Sequence, residues 1–361
     1  MPETKQFPCK QCGAMLEFEP GTRALKCQYC GMLNEIAESE IAIEEIDYAK
    51  QLLELQLVQP KTDATVIHCD GCGSESTLPD GQASGSCPFC GRAVVATSIT
   101  RTVLKPKALL PFAIKSDRAK ASFDQWLNGL WFAPGDLKKH ADAGGLKGVY
   151  LPAWTYDANT ISDYTGARGE HHFETQSFNA MVNGKSVRQT RQVQKTRWHT
   201  AAGRVGNQFD DVLVLADRSL PDDLRGKLNG WDLPSLVPYA DDYLSGFVAQ
   251  TYQVQLPEGF EIARGIMEQT IRATVRSDIG GDEQRIHSLQ TQYNDITFKH
   301  VLLPVWISAY RFKGQTFRFV INGRTGSVFG QRPWSAWKIG VLVAGILFVI
   351  LIGLLIFAAS R

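Results

Sequence analysis

The cysteines of this chain occur as four C-x-x-C-G segments. A glycine follows each pair directly, and the pairs are Cys9/Cys12, Cys27/Cys30, Cys69/Cys72 and Cys87/Cys90. The second four cysteines repeat the first four at an offset of 60 residues, and 14 residues separate the two pairs within each set. Two thiolates with a two-residue spacer can face one ion, and two such turns complete a tetrahedral site. The sequence therefore predicts two sites of four cysteine ligands each.

Zinc is the metal that this pattern favours. A closed shell of four thiolates leaves no position for water or substrate, so both Zn²⁺ ions are predicted to be structural. Iron in a rubredoxin-like site uses the same ligand geometry, and the spacing alone does not distinguish the two metals. Disulfides would require an oxidising compartment, and the first residues do not resemble a secretory signal. We predict zinc ribbons at 1–34 and 66–97, each with too few large apolar residues to fold without metal.

The C-terminal segment predicts a membrane span. Residues 339–359 are 21 positions without a charged or strongly polar side chain, enough for about 31 Å of helix, the thickness of a bilayer core. Trp334, Trp337 and Lys338 precede the span, as aromatic and basic residues do at an interface. Basic residues on that flank and the need for reduced thiols both place the N-terminal bulk in the cytoplasm. We expect a single-pass membrane protein.

Between the ribbons and the span, residues 105–330 predict an α+β domain with an antiparallel sheet. Helices are predicted at 116–130, 136–143 and 258–279. In the last of these, the residues expected to face the core are Ile262, Ile266, Ile271 and Val275. Strands at 306–312, 316–321 and 327–330 are predicted to form a meander, because Lys313-Gly314 and Asn322-Gly323 suit tight turns.

An acidic amphipathic helix is predicted at 35–60, between the two ribbons. Asn34 suits its N-cap and Pro60 its end. Such a helix either binds a partner or packs on a ribbon or the main domain.

An internal similarity lies within the α+β domain. The motif V-x-L-P-x-W occurs at 149–154 and again at 301–306. Duplication of one α+β unit and convergent strand chemistry both remain open as explanations. Because proline cannot donate a ladder hydrogen bond, each segment is expected to be an edge strand or to contain a bulge.

No catalytic constellation is evident in the sequence. Asn183-Gly184-Lys185-Ser186 resembles the end of a phosphate loop, but Asn179 stands where the first glycine should be. We therefore predict a protein that is not an enzyme and has no small-molecule substrate.

A basic stretch is the one candidate contact for an anionic partner, and its residues are Lys185, Arg188, Arg191, Lys195 and Arg197. Nucleic-acid phosphates, lipid headgroups and an acidic protein all suit it, and so does a solvated strand pair with no partner. The formal net charge of +1 argues against a surface that seeks nucleic acid globally.

The chain as a whole resembles a family of bacterial tail-anchored zinc-ribbon membrane proteins. Beside the cysteine segments, the resemblance is carried by Trp131-Phe132-Ala133-Pro134, Leu151-Pro152-Ala153-Trp154, 209–214, 278–282, 297–300 and 322–326. Members are often labelled primosomal protein N′ (replication factor Y), superfamily II helicase-like or TFIIB-type zinc ribbon protein. The incomplete phosphate loop argues against a helicase. The resemblance implies a setting in envelope stress, beside phage-shock-protein-A-like and SPFH-domain membrane-remodelling proteins, and it carries over no catalytic residues.

Two functions are compatible with these features. The first is an adaptor that recruits protein partners to the inner membrane, in envelope stress or membrane remodelling. The alternative is a membrane-tethered nucleic-acid-binding protein of replication or transcription, without helicase ATPase activity.

Metal analysis tests the cysteine prediction directly. Full-length protein purified without chelator should contain about two zinc ions per chain, because each set of four thiolates binds one ion. Elemental analysis measures the ratio. Cysteines found in disulfides, or protein with no bound metal, would contradict the prediction, and iron in place of zinc would correct the choice of metal.

Overall fold

The computed structural model describes residues 7–37, 42–57, 66–70, 74–77, 84–87, 89, 93–95, 104–137, 145–182, 185–313 and 315–359. Most of the helix predicted at 136–143 lies outside these residues. So do Cys72 and Cys90.

The N-terminal segment forms a small three-stranded antiparallel sheet. Its strands are β1 (Leu16–Phe18), β2 (Ala24–Cys27) and β3 (Leu33–Glu35), with β2 in the centre. Leu16, Phe18 and Leu25 are buried in the same core cluster as Phe112 and Tyr243 of the main domain. The small sheet therefore shares its apolar core with the larger one.

The linker is only partly helical. After β3 comes the short strand β4 (Ile46–Asp47), and the helix α1 spans Tyr48–Leu57. The predicted helix from residue 35 is thus shorter than expected, and Asn34 lies in a strand instead of capping a helix. Asp47 takes the capping role, since its Oδ1 accepts the Lys50 N–H at 2.7 Å. Tyr48 packs on Phe260 and Phe298, so α1 contacts the main domain.

The second cysteine segment contains two hairpins. They pair β5 (Val66–His68) with β6 (Glu75–Thr77), and β7 (Ser84–Ser86) with β8 (Ala93–Val95). Thr251 of the main domain donates its N–H to the carbonyl of Glu75 at 3.2 Å.

A large, mainly antiparallel sheet organises the rest of the chain. The elements are β9 (Ala108–Leu109), α2 (Ser116–Asn128), β10 (Lys147–Val182), β11 (Lys185–Leu215), α3 (Asp222–Arg225), β12 (Val237–Pro238), β13 (Val248–Ala249), α4 (Leu256–Ile279), β14 (Glu283–Phe312), β15 (Gln315–Asn322), β16 (Val328–Gly330) and α5 (Ala336–Ala359). The main strand order is β11-β10-β14-β15-β16, and the short strands attach to it. The predicted antiparallel sheet and the meander near the C-terminus are confirmed.

The two V-x-L-P-x-W segments are hydrogen-bonded neighbours at the centre of this sheet. β10 and β14 run antiparallel, with Leu151 opposite Leu303 and Pro152 opposite Leu302. The expectation of edge strands is therefore wrong. The carbonyl of Pro152 accepts the Ala216 N–H at 2.9 Å and that of Pro304 the Gly323 N–H at 2.8 Å.

Both prolines lie where a neighbouring ladder ends, which explains why a central strand tolerates them. A residue in an antiparallel strand directs its N–H and C=O to the same side. For Pro152 that side is β11, whose pairing with β10 stops at Ala153. For Pro304 it is β15, whose pairing with β14 stops at Val305. Neither missing N–H therefore removes a ladder hydrogen bond.

The long helix α4 packs on one part of the sheet. Gly259 and Ala263 let the helix approach closely, and Met267, Ile271 and Val275 complete a fully buried stripe. Ile262 and Ile266 were predicted to face the core, but they remain 43% and 44% exposed. They lie one residue off the stripe, which rotates them about 100° from it. Ile271 and Val275 are buried as predicted.

The C-terminal helix α5 differs from the others because all of its residues except Lys338 are exposed. Among the described residues it is the one helix long and apolar enough to cross a membrane. Ser335 precedes it and its Oγ accepts the Lys338 N–H at 3.4 Å. The predicted apolar C-terminal helix is confirmed, and it begins slightly before residue 339.

Two glycines of α4 test the close approach of this helix to the sheet. In Gly259→Ala the new methyl group would lie 2.4 Å from the Tyr156 hydroxyl and 2.8 Å from Trp154 Cδ1. We expect a loss of about 1–3 kcal/mol in the free energy of unfolding, because the surrounding core cannot expand freely.

Gly265→Ala on the same helix is the matched control, since nothing lies within 4 Å of its added methyl group. It should stabilise the protein by about 0.5–1 kcal/mol, because alanine is the better helix former. Denaturant unfolding of the full chain in detergent measures both variants. Equal effects would show that α4 does not pack as described.

Candidate metal centre

The first two cysteine pairs occupy turns of the same geometry. The Gly13 N–H donates to the Cys9 carbonyl at 2.9 Å, and the Gly31 N–H donates to the Cys27 carbonyl at 3.0 Å. Gly13 and Gly31 both have φ of +73°, in the region that glycine adopts without strain. The glycine after each pair therefore supplies the positive φ that closes the turn.

These turns bring four sulfur atoms together. The ligand atoms of Cys9, Cys12, Cys27 and Cys30 all lie within 4.8 Å of one another. Cys9 Sγ is 3.6 Å from Cys30 Sγ, and Cys12 Sγ is 3.4 Å from Cys27 Sγ. A tetrahedral ion with metal–sulfur bonds of about 2.3 Å places its sulfurs about 3.8 Å apart. The predicted grouping of the first four cysteines is confirmed, and its dimensions suit one metal ion.

Backbone N–H groups lower the pKa values of the Cys9 and Cys27 thiols, whereas those of Cys12 and Cys30 are raised. The N–H groups of Cys30 and Tyr29 lower the pKa of the Cys27 thiol to about 6, against the opposing effect of desolvation. For Cys30 the Met32 N–H favours the thiolate, but desolvation and the neighbouring thiols outweigh it and raise the pKa to about 12. Four thiolates at this distance repel one another unless a cation lies between them. A bound metal ion would supply that charge and deprotonate all four.

The second cysteine set shares one feature of these turns. The Cys69 N–H donates to the Ser74 carbonyl at 2.9 Å, as the Cys9 N–H does to the Ala14 carbonyl and the Cys27 N–H to the Met32 carbonyl. Cys69 and Cys87 are both buried, and the Ser74 hydroxyl lies 3.2 Å from Cys87 Sγ. The predicted ligands Cys72 and Cys90 lie outside the described residues, so the second site remains a prediction.

The basic stretch lies on a two-stranded arm. β10 and β11 continue to pair beyond Gly169, where the pairing of β14 with β10 ends. The 13 residues of β10 from 170 to 182 extend the arm by about 40 Å. Among the described residues, no third strand pairs with this part.

The arm does not gather the five predicted basic residues into one patch. By register, Arg191, Lys195 and Arg197 share one face and Arg188 lies on the other, because strand residues alternate. Lys195 forms an ion pair with Glu174, whose pKa it holds below the ordinary value. Arg191 lies 5.6 Å from the centre of the Phe178 ring. Lys185 begins β11 and pairs with Val182.

One polar cluster was missed by the sequence reasoning. Carboxylate oxygens of Glu45, Asp157 and Asp210 lie within 4.8 Å of one another. Lys299, only 6% exposed, reaches this cluster and lies 3.2 Å from Glu45 and 2.8 Å from Asp211. Its ammonium group supplies positive charge there, so the cluster is best described as an ion-pair network that holds the segment before β4 on the sheet. The pairing of β4 with β14 brings Glu45 close to Asp157 and Asp210. No local sequence pattern indicates that pairing.

The chain is similar along most of its length to YdjG of Bacillus subtilis (strain 168), a protein described as uncharacterized. The two are 22% identical over 346 residues, covering 94% of this chain and 93% of that protein. No family model matches the chain, and no solved structure matches it.

Substitution of Gly31 tests the coupling between the turn and the metal. Gly31→Ala should weaken metal binding at the first site roughly tenfold, because alanine at positive φ costs about 1–2 kcal/mol. The cost is conformational, since nothing lies within 4 Å of an added methyl group. Gly31→Asn is the matched variant and should bind more tightly than Gly31→Ala, because asparagine tolerates this region better.

Chelator competition on the full chain measures both variants, and the second predicted site is the internal reference. If Gly31→Ala and Gly31→Asn both release metal like the natural protein, the positive φ is not coupled to binding.

Proposed function

We propose that the protein is a tail-anchored, zinc-binding adaptor that recruits protein partners to the cytoplasmic face of the bacterial inner membrane. The observation that carries this proposal is the exposed apolar helix α5, which follows a folded domain that includes the cluster of four cysteines. A helix with so much apolar surface is stable in a bilayer and unfavourable in water. The proposal includes no enzymatic activity.

Within this proposal, the cysteine sets are two zinc ribbons with structural Zn²⁺ ions. Four thiolates around one ion close the coordination shell, so the metal would hold the turns and not activate a substrate. The first ribbon would comprise the two turns and the sheet β1-β2-β3. Because its core is continuous with the main domain, metal loss is expected to loosen the adjacent part of that domain as well.

The orientation rests on the charges beside α5. The three basic residues nearest before the span are Arg324, Arg332 and Lys338. Arg324 is bound to Asp232 at 2.6 Å and faces the domain. Arg332 and Lys338 remain beside the helix. They supply the positive flank that favours a cytoplasmic location of the folded part.

We also propose that the α+β domain is a duplicated unit. β9 pairs parallel with β14 at Val301, and β13 pairs parallel with β10 at Val149, the corresponding residue of the other motif. Each helix begins seven residues after its short strand, at Ser116 after Leu109 and at Leu256 after Ala249.

The hydrogen bonds of Trp154 and Trp306, the last residues of the two motifs, also support the duplication. Trp154 Nε1 donates to the Val254 carbonyl at 2.9 Å, and Trp306 Nε1 donates to the Ile114 carbonyl at 2.8 Å. Each accepting carbonyl lies two residues before a helix. The two halves therefore agree in strand pairing, helix start and side-chain contact. An experimental structure in which the two indoles lack these equivalent partners would contradict the duplication.

The identity of the partners is the least constrained part of the proposal. The family resemblance implies SPFH-domain or phage-shock-protein-A-like proteins. The nucleic-acid alternative depends on the basic arm. Its arginines lie on both faces of the arm, and Arg191 packs on Phe178 of the same arm. This alternative predicts salt-sensitive binding of DNA or RNA that is lost when Arg188, Arg191 and Arg197 are replaced together.

Exchange of the anchor tests the adaptor function. Three forms of the protein are compared in cells: the natural protein, a form without 339–361, and a form in which an unrelated membrane span replaces 339–359. Proximity labelling should identify the same membrane-associated partners for the first and third forms and lose them for the second. Partners that stay at the membrane with the anchorless form would show that tethering is not its function.

A further inference from the structure

One loop of the domain lies beside the start of the apolar helix α5. The loop at 130–133 follows α2 and carries Trp131, which is 80% exposed. Its neighbours Leu130 and Ala133 are buried in the main core. The loop is thus held firmly while its largest apolar side chain points away from the domain. Tryptophan so placed is unfavourable in water and characteristic of membrane interfaces.

The start of α5 is bonded to this loop. The Ser335 N–H donates to the Phe132 carbonyl at 2.8 Å. Lys338 Nζ donates to the carbonyls of Trp131 and Ala133 at 3.0 and 2.8 Å. Lys338 is the residue directly before the apolar stretch. These bonds therefore place the backbone of Trp131 at the depth where the span enters the bilayer.

The aromatic and basic side chains around the loop extend the same surface. Phe132 lies 6.4 Å from the ring centre of Trp334, and Arg332 stacks over Trp334 at 4.4 Å. Trp337 is 80% exposed. Among the described residues, no carboxylate is within ion-pair distance of Arg332 or Lys338, so both charges are available to anionic headgroups.

We propose that the 130–133 loop is a second membrane contact, with Trp131 inserted into the headgroup region beside the span. This inference rests on the proposed membrane anchoring and goes beyond it. A span alone leaves the domain free to rotate and tilt above the membrane. With the loop also inserted, the domain has two contacts, and one defined side of it faces the lipid.

Photo-crosslinking in vesicles tests the contact. The full chain is reconstituted in vesicles of phosphatidylethanolamine and phosphatidylglycerol with p-benzoylphenylalanine at position 131, 348 or 29. Each position is naturally aromatic and exposed. Phe348 lies within the span. Tyr29 lies on the first cysteine segment, which forms an ion pair with Lys115 just before the start of α2. Trp131 follows the other end of α2. After irradiation, lipid adducts are expected at 131 and 348 and not at 29.

Each other outcome has a distinct meaning. Lipid adducts at 348 without adducts at 131 would overturn the inference and leave the anchoring intact. Adducts joining two chains at 131 would replace the bilayer by a second copy as the occupant of this surface. The absence of lipid adducts at 348 would refute the anchoring itself, and this inference with it. Adducts at 29 as strong as those at 131 would also overturn the inference, because lipid contact would then not be confined to one side of the domain.

Trp131→Phe supplies a second measurement without an unnatural side chain. Quenching of tryptophan fluorescence by brominated lipid should be weaker in Trp131→Phe than in the natural protein, because one interfacial indole is lost. Thermal unfolding should be unchanged, since this side chain is mostly exposed. Unchanged quenching would overturn the inference.

Discussion

The pairing of β10 with β14 at the two V-x-L-P-x-W segments is the interaction on which the rest of the structure depends. It buries Trp154, Tyr150 and Leu303 completely and fixes the register of the strands on either side. A slip of one residue would move every side chain of the shifted strand to the opposite face of the sheet, where it would meet the wrong packing partners. The short strands β9 and β13 add to the same pair, and each leads into a helix that covers the sheet. The helices therefore take their positions from this one register.

The cysteine turns and the small sheet are stabilised in a different way from the large sheet. The small sheet β1-β2-β3 has few large apolar residues, and its core is completed by residues of the main domain. Local hydrogen bonds already hold the sulfurs close together, which lowers the entropy lost when an ion binds. Other N–H groups of the same turn, those of Cys30 and Tyr29, favour the thiolate of Cys27. In the proposed ribbon, the metal would stabilise the turns while the domain supplies the apolar contacts.

Features encoded by local chemistry could be predicted from the sequence, and features set by tertiary contacts could not. The cysteine turns, the start of α2 near Ser116, the meander with its turn at Asn322-Gly323 and the apolar helix α5 all have short-range signals. The buried face of α4 does not, because apolar residues lie on more than one face of this helix and only its contact with Trp154 and Tyr156 selects the stripe. The tolerance of Pro152 depends on where β11 stops pairing, which is not a property of nearby residues. The arm shows polar alternation on both faces, so its length gives no hydrophobic pattern to detect. For the candidate site, the first four ligands follow from spacing, whereas the ion pairs of Lys299 depend on chain segments far apart in sequence.

The position of α5 in the strand order has a mechanical consequence. The helix follows β16, an edge strand that pairs with β15 at only three positions, and the arm lies at the opposite edge of the sheet. A pull on α5 would reach this short ladder only after the bonds of Ser335 and Lys338, because these two residues lie between β16 and the apolar stretch. The bonds from Ser335 and Lys338 to the 130–133 loop provide a parallel connection to the core next to α2. In the proposed anchoring, tension between the membrane and a partner held by the distant arm would pass first into a loop whose Leu130 and Ala133 are buried in the main core, and the weak edge strand β16 would be protected from it.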